Sequence, residues 1–426
     1  MFNQRLDRRR FLGGAMAAGT LAALPRPALA LLRAGGEWAQ VQAVLDRYVG
    51  AGTLPGVAAA IGRGTDPALF MAAGTIARDS KTAVDADSLW RVYSMTKPIT
   101  GMAAMMLVED GKIALDQNIA EFIPAFANPR VLVDPMKDLT SRPAARPITV
   151  RNLLTHTAGL GYSIITKGPL LAEYIRLGIL PGAVSRKKLP AVPDAPTAPS
   201  LEIFADRLAT LPLIADPGAE WSYSVSLDLL GRVIELASGM AFDAFLQQRI
   251  FDPLGMTSTW FQVPADQAHR LTTNYFMLPI GPYPVDPGQD SVYLDKPPFP
   301  FGGAGLVSSA RDYDRFLAML AGEGALNGVR VMKTETARLA MSNLMPEGAK
   351  AGGLIDGAGF GAGGRVTLRP GDMGQGPGTF GWGGAAATIA WVDRERGIRG
   401  AGYAQYMPDT AHPFTTDIAK AVYSSL

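Results

Sequence analysis

The stretch WRVYSMTKPIT, residues 90–100, opens a long apolar run and sets a serine, Ser94, three residues ahead of a lysine, Lys97. At helical spacing such a pair shares one face. Between 94 and 110 the run contains no glycine but Gly101, and Gly111 follows it as a stop, so the pattern predicts a buried helix. Pro98 is tolerable only in the first turn, which puts Ser94 and Lys97 at the N-terminal end. A serine hydroxyl becomes a nucleophile when a neighbour takes its proton, and a lysine one turn away can do so if burial keeps its amine neutral. Unsatisfied N–H groups at a helix start would stabilise an oxyanion formed there.

Spacing alone is a weak signal. Ser185 and Lys188 repeat it in PGAVSRKKLP, a solvated basic loop with nothing to keep a lysine neutral. The wider composition narrows the chemistry further. There is no cysteine among the 426 residues, which excludes thiol catalysis, disulfides and thiolate metal sites, and no cluster has zinc spacing, so neither a metal nor a cofactor is expected. Residues 1–30 read as an export signal of the twin-arginine type: Arg8, Arg9 and Arg10, a weakly apolar stretch over 11–24, and Ala28-Leu29-Ala30 for cleavage. Removing them takes the formal net charge from +2 to −2, which argues against nucleic-acid binding. No later segment has ~20 consecutive apolar residues, so a soluble periplasmic or secreted protein is expected.

Strand-like runs lie at both ends of the chain. GVAAAIGRGTDPALFMAAGTIARD, residues 56–79, reads as a hairpin, and further strands are expected in GRVTLRP, GGAAATIAWVD and IRGAGYAQY. Helices are expected near 38–48, over 201–211, 226–237 and 241–250, over 309–322 with Ser309 as N-cap, and at the C-terminus. The pattern predicts an α/β protein whose sheet domain comprises 31–92 and 300–426, with a mainly helical domain, 93–299, carrying Ser94 and Lys97. His156, in LLTHTAGL, is one of three histidines and could serve a Ser-His-Asp triad. No Gly-x-Ser-x-Gly elbow exists, however, so it reads as a structural residue at a helix end. GFGAGG, residues 359–364, matches a dinucleotide fingerprint but precedes a strand instead of following one, which makes it a glycine-rich turn.

Five blocks in order carry a family resemblance: YSMTKPIT at 93–100, ITVRNLLTHTAGL at 148–160, DPGAEWSYSVSLDLLG at 216–231, GGAGLVSSARDYDRFL at 302–317 and FGWGGAAATIAWVD at 380–393. Together they resemble the class C β-lactamase-like serine hydrolases, and most of all the family VIII carboxylesterases. The resemblance implies a β-lactamase/transpeptidase-like fold, an antiparallel sheet flanked by helices with a helical insertion. It makes Ser94 the nucleophile, Lys97 its proton acceptor, and Tyr223 the residue that helps deprotonate the serine and reprotonates the leaving group. Backbone N–H groups of Ser94 and Ala385 would form the oxyanion hole. Trp382, Gly383 and Gly384 would line the substrate where the lactamases carry Lys-Thr-Gly. Where a lactamase continues Tyr-x-Asn, this chain has Tyr223-Ser224-Val225.

A tryptophan and two glycines offer no cation to a β-lactam carboxylate, so an uncharged small-molecule ester is the expected substrate. The alternatives are a β-lactamase or D-amino-acid peptidase acting on cell-wall peptides, a transacylase, and a catalytically silent ligand-binding homologue. Oligomeric state has no signature in the chain.

Overall fold

The computed structural model describes residues 36–189 and 195–426; the expected export signal, 1–30, lies outside them. Its centre is an antiparallel seven-stranded sheet made from both ends of the chain. We number its strands β1 (Gly56–Arg63), β2 (Leu69–Gly74), β3 (Gly359–Phe360), β4 (Arg365–Val366), β5 (Phe380–Gly384), β6 (Thr388–Asp393) and β7 (Ile398–Tyr403). The spatial order is β3-β4-β5-β6-β7-β1-β2. β1 and β7 are the seam between the two ends, pairing Ala58 with Tyr403 through to Arg63 with Ile398.

β1 is an unbroken apolar run because both its faces are covered. Val57, Ala59 and Ile61 point to one side, into a cluster with Trp38, with Leu45 of α1 (Ala39–Gly50) and with Ile418 and Val422 of α6 (Phe414–Tyr423). Ala58 points to the other, toward Phe316 and Leu320 of α5 (Ala310–Ala321). Ser309 caps α5 as expected, its hydroxyl accepting the Asp312 N–H at 3.1 Å.

The Ser94 region sits where the sheet meets the helices. Tyr93–Met95 form a short 3₁₀ turn leading into α2 (Thr96–Glu109), in which every residue from Thr96 to Leu107 is buried. A helix apolar all round must be enclosed. α2 packs against α4 (Ser226–Ser238), which in turn packs on α3 (Val150–Leu154), in a core that runs on without a break to Ala58 and Tyr403 of the sheet. A small antiparallel sheet of Leu89–Arg91, Val307–Ser309 and Thr259–Trp260 brings residues 302–309 alongside α2. Arg91, fully buried, anchors this corner through an ion pair with Asp286 at 2.6 Å and a further bond to Ser291.

The middle of the chain departs from the mainly helical reading by holding strands of its own, among them a short antiparallel pair of Arg130–Leu132 with Ser141–Pro143. Asn274–Leu278 and Gly281–Asp286 form an antiparallel pair, extended in parallel by Tyr406–Met407. Prolines at 282 and 284 obscured it in the sequence. They are tolerated because Gly281–Asp286 is an edge strand, where an outward N–H is not needed. Gly361, Gly363 and Gly364 lie in the turn between β3 and β4, as the position of the glycine run before a strand implied. Among the described residues no helix is long and apolar enough to cross a membrane.

Candidate active site

Ser94 is partly exposed and follows Tyr93, whose φ of 42° lies in the left-handed region that an aromatic residue rarely adopts. The Tyr93 side chain holds that conformation. Its hydroxyl accepts a bond from Asn274 Nδ2 at 3.2 Å, and its ring meets Tyr293 edge-on at 6.2 Å. The turn delivers the Ser94 hydroxyl to two donors: Tyr223 Oη at 2.6 Å and Lys97 Nζ at 3.0 Å.

Lys97 is fully buried. Its amine also donates to the Gly303 carbonyl at 2.6 Å and lies over the rings of Tyr223 and Tyr162, 4.5 and 5.5 Å from their centroids. Among the ion pairs of the described residues none includes Lys97.

Tyr223 stands in an irregular segment held by the loop after α3. The Ser222 N–H donates to the His156 carbonyl at 2.9 Å and the Val225 N–H to the Gly161 carbonyl at 3.1 Å. The Tyr223 ring is packed by Tyr162, Trp221, His156 and Trp382, and its hydroxyl accepts a bond from Trp382 Nε1 at 3.2 Å. Trp382 lies on β5 and is itself only half-buried, so it combines packing with a polar contact to the Tyr223 hydroxyl.

Ala385 follows directly on β5. At Gly384 an added Cβ would stand 2.4 Å from the Val92 carbonyl, so a glycine here lets the end of β5 lie against the turn that carries Ser94. Gly383, half-buried, continues the same strand beyond its pairing with β4.

His156 does not reach Ser94. Its Nδ1 bonds the Ser224 hydroxyl at 2.9 Å and accepts the Ser224 N–H at 3.2 Å, which assigns the ring proton to Nε2. Burial, and secondarily the charge Lys97 bears when protonated, hold its pKa well below 6.5. A neutral imidazole is therefore built in. It favours the fold above pH ~6.5, and that contribution is lost as pH falls toward its folded value. Ser185 is likewise committed elsewhere, donating to the Val285 carbonyl at 2.5 Å.

Three participants escaped the sequence reading. Tyr162 lies against both Lys97 and Tyr223, and burial, with the Asp228 charge next in order, pushes its phenol pKa well above 10. The phenol that reaches Ser94 is that of Tyr223. Gly303 supplies the carbonyl for Lys97, and Asp228 holds Gly303. Asp228 had a visible signal: it is a carboxylate on the apolar side of SLDLLGRVIEL, buried among leucines. Gly303 had none, because it acts through its backbone. A cavity of about 740 Å³ lies away from Ser94, among Arg232, Glu235, Trp260, Phe261 and Phe299. Among the described residues no group of three or more acidic or histidine side chains is placed to hold a metal ion.

The beta-lactamase family model matches residues 41–423, nearly the whole described chain. The chain belongs to the beta-lactamase family. Among relatives of this family, Esterase EstB of Burkholderia gladioli is 31% identical over 410 residues, covering 91% of this chain and 95% of that one. Protein Rv1367c of Mycobacterium tuberculosis is 32% identical over 367 residues, covering 81% and 83%. In three dimensions the chain superposes on EstCE1, a hydrolase with promiscuous acyltransferase activity, with a TM-score of 0.73 and 25% identity over 92% of this chain and 99% of that one. The fold is thus β-lactamase/transpeptidase-like, and the chain is an esterase-like serine hydrolase by kinship.

Proposed function

We propose that this protein hydrolyses small, uncharged carboxylic esters through an acyl-enzyme on Ser94. The observation that carries this reading is the convergence of Tyr223 Oη and Lys97 Nζ on one hydroxyl, at 2.6 and 3.0 Å. Ser94 Oγ attacks the ester carbonyl while its proton passes to the Lys97–Tyr223 pair. The carbonyl oxygen takes the negative charge and is met by the N–H groups of Ser94 and Ala385. As the tetrahedral species collapses, the C–O bond to the alcohol breaks and Tyr223 returns the proton to the departing oxygen. Water then repeats the sequence in reverse roles, releasing the acid and restoring Ser94. An N-terminal export signal over residues 1–30 would place this chemistry outside the cytoplasm.

Trp382 occupies the place where a carboxylate-binding lysine would stand, and we assign its indole N–H to Tyr223. A phenol that must give up and regain a proton benefits from a fixed donor on its oxygen. Trp382→Phe keeps the ring and removes that bond, worth about 0.5–1.5 kcal/mol, so kcat/KM should fall roughly 2- to 12-fold. Trp382→Ala should in addition change ester preference without abolishing acylation. A Phe variant with unchanged kcat/KM would reduce Trp382 to packing.

The decisive experiment sets p-nitrophenyl acetate and butyrate beside nitrocefin. A β-lactam carboxylate gains a charge-assisted partner worth roughly 1.5–3 kcal/mol, or about 10- to 150-fold, in a site that has a cation for it. Trp382 and Gly383 supply none, so kcat/KM for the neutral esters should exceed that for nitrocefin by at least this factor. Faster turnover of the cephalosporin would replace the esterase reading with the β-lactamase one. Adding a second alcohol to the ester assay tests acyl transfer: a new ester product would show the acyl-enzyme passing to an acceptor other than water.

A further inference from the structure

Asp228, on the first turn of α4 and five residues beyond Tyr223, is fully buried and has no part in the steps above. Its Oδ1 accepts the N–H of Gly303 at 2.8 Å, while the carbonyl of that same residue accepts Lys97 Nζ at 2.6 Å. The carboxylate and the catalytic amine thus grip opposite sides of one glycine. No side chain fits between them, for a Cβ on Gly303 would stand 2.6 Å from Asp228 Oδ2. The rest of the 302–306 segment is laced to α2: Thr100 Oγ1 donates to the Gly302 carbonyl at 2.7 Å, and the Leu306 N–H donates to Thr96 Oγ1 at 3.1 Å.

We propose that Asp228 is a positioning residue for the reaction, holding Gly303 so that its carbonyl takes one hydrogen of Lys97 and aims the amine at Ser94. The inference rests on the reading of Lys97 as the base. A buried carboxylate is costly to keep, and among the ion pairs of the described residues none includes Asp228. What faces it is Lys97 from α2, the Tyr162 phenol from the loop after α3, and the Gly303 N–H. Burial pushes its carboxyl up to about 6, against the opposing pull of Lys97 and the Gly303 bond. A carboxyl raised in this way favours the fold below pH ~3.9, and that favour is lost as pH rises through about 6, so at neutral pH the residue costs stability. A group retained at such a cost, with its side chain bonded to the residue that orients Lys97, fits a role in activity.

The test compares wild type with Asp228→Asn, Asp228→Ala and Asp228→Leu, measuring kcat and KM for p-nitrophenyl butyrate, melting temperature at pH 8, and the rate and final stoichiometry of fluorophosphonate labelling. Asn can still accept from Gly303 and should keep kcat within a few-fold of wild type. Ala and Leu cannot, and their kcat should fall by up to about 10²-fold with KM little changed, labelling slowly but to full stoichiometry. Leu fills the volume, so it serves if Ala does not fold. Wild-type kcat in Ala or Leu would overturn the proposal, and so would an Asn variant as impaired as Leu, since charge and not position would then be at work. Failure of the ester reading would look different: the wild type itself would neither turn over the ester nor label at Ser94.

Discussion

Ser94→Ala should yield a folded protein that neither hydrolyses p-nitrophenyl esters nor accepts a fluorophosphonate. The hydroxyl is the convergence point of Tyr223 and Lys97, so under the proposed function its removal deletes the nucleophile and leaves both partners without their target. Loss of the nucleophile in a serine hydrolase lowers kcat on the order of 10⁶-fold, which in practice means the detection limit. The fold should tolerate the change. Ser94 is partly exposed, Lys97 keeps the Gly303 carbonyl, and Tyr223 keeps the Trp382 indole. Melting temperature should therefore move little. Mass spectrometry of the labelled wild-type protein checks the assignment, and an adduct on Ser185 or any other serine would sink it.

The second large effect is expected at the base. Tyr223→Phe and Lys97→Ala should each cost at least ~10²-fold in kcat/KM, the usual worth of a positioned proton carrier. The tyrosine variant is the cleaner of the two, because its ring contacts with Tyr162, Trp221 and His156 survive. Lys97→Ala also leaves a hole in a fully buried helix and an unmet Gly303 carbonyl, so its melting temperature has to be measured alongside its rate. Near-normal rates in both, with activity lost in His156→Ala, would restore the histidine triad. The geometry points the other way, for the His156 Nδ1 is spent on Ser224.

How much of this was legible beforehand depended on where the information lies along the chain. α2 could be read because a buried helix writes its burial into consecutive residues, and Pro98 fixed which end was the start. The seam of the sheet could be expected at both termini because β1 is apolar on both faces. The hairpin at 274–286 could not, since its prolines argue against a strand until its edge position is known. At the site, Ser94 and Lys97 are neighbours in sequence and announce themselves by spacing, whereas Tyr223 and Trp382 came through resemblance alone. Gly303 meets Lys97 through a backbone oxygen, 206 residues away, and such a contact has no sequence signature. Tyr162 was visible as a residue but not as a neighbour, because the loop that presents it is shaped by bonds such as that from the Val225 N–H to Gly161.

The unbroken core has a thermodynamic consequence. Leucines of α4, methionines of α2 and Tyr403 of the sheet belong to one packed cluster, so the helices and the sheet around Ser94 share their interior. Pieces bound in this way gain their stability jointly, and neither can melt while the other persists. Heating should give a single cooperative transition by calorimetry, with esterase activity vanishing along the same curve. Substrate choice then rests on a site whose geometry is set before anything binds. Changes that broaden its repertoire must come from the loops around it, because loosening the interior would forfeit the whole molecule.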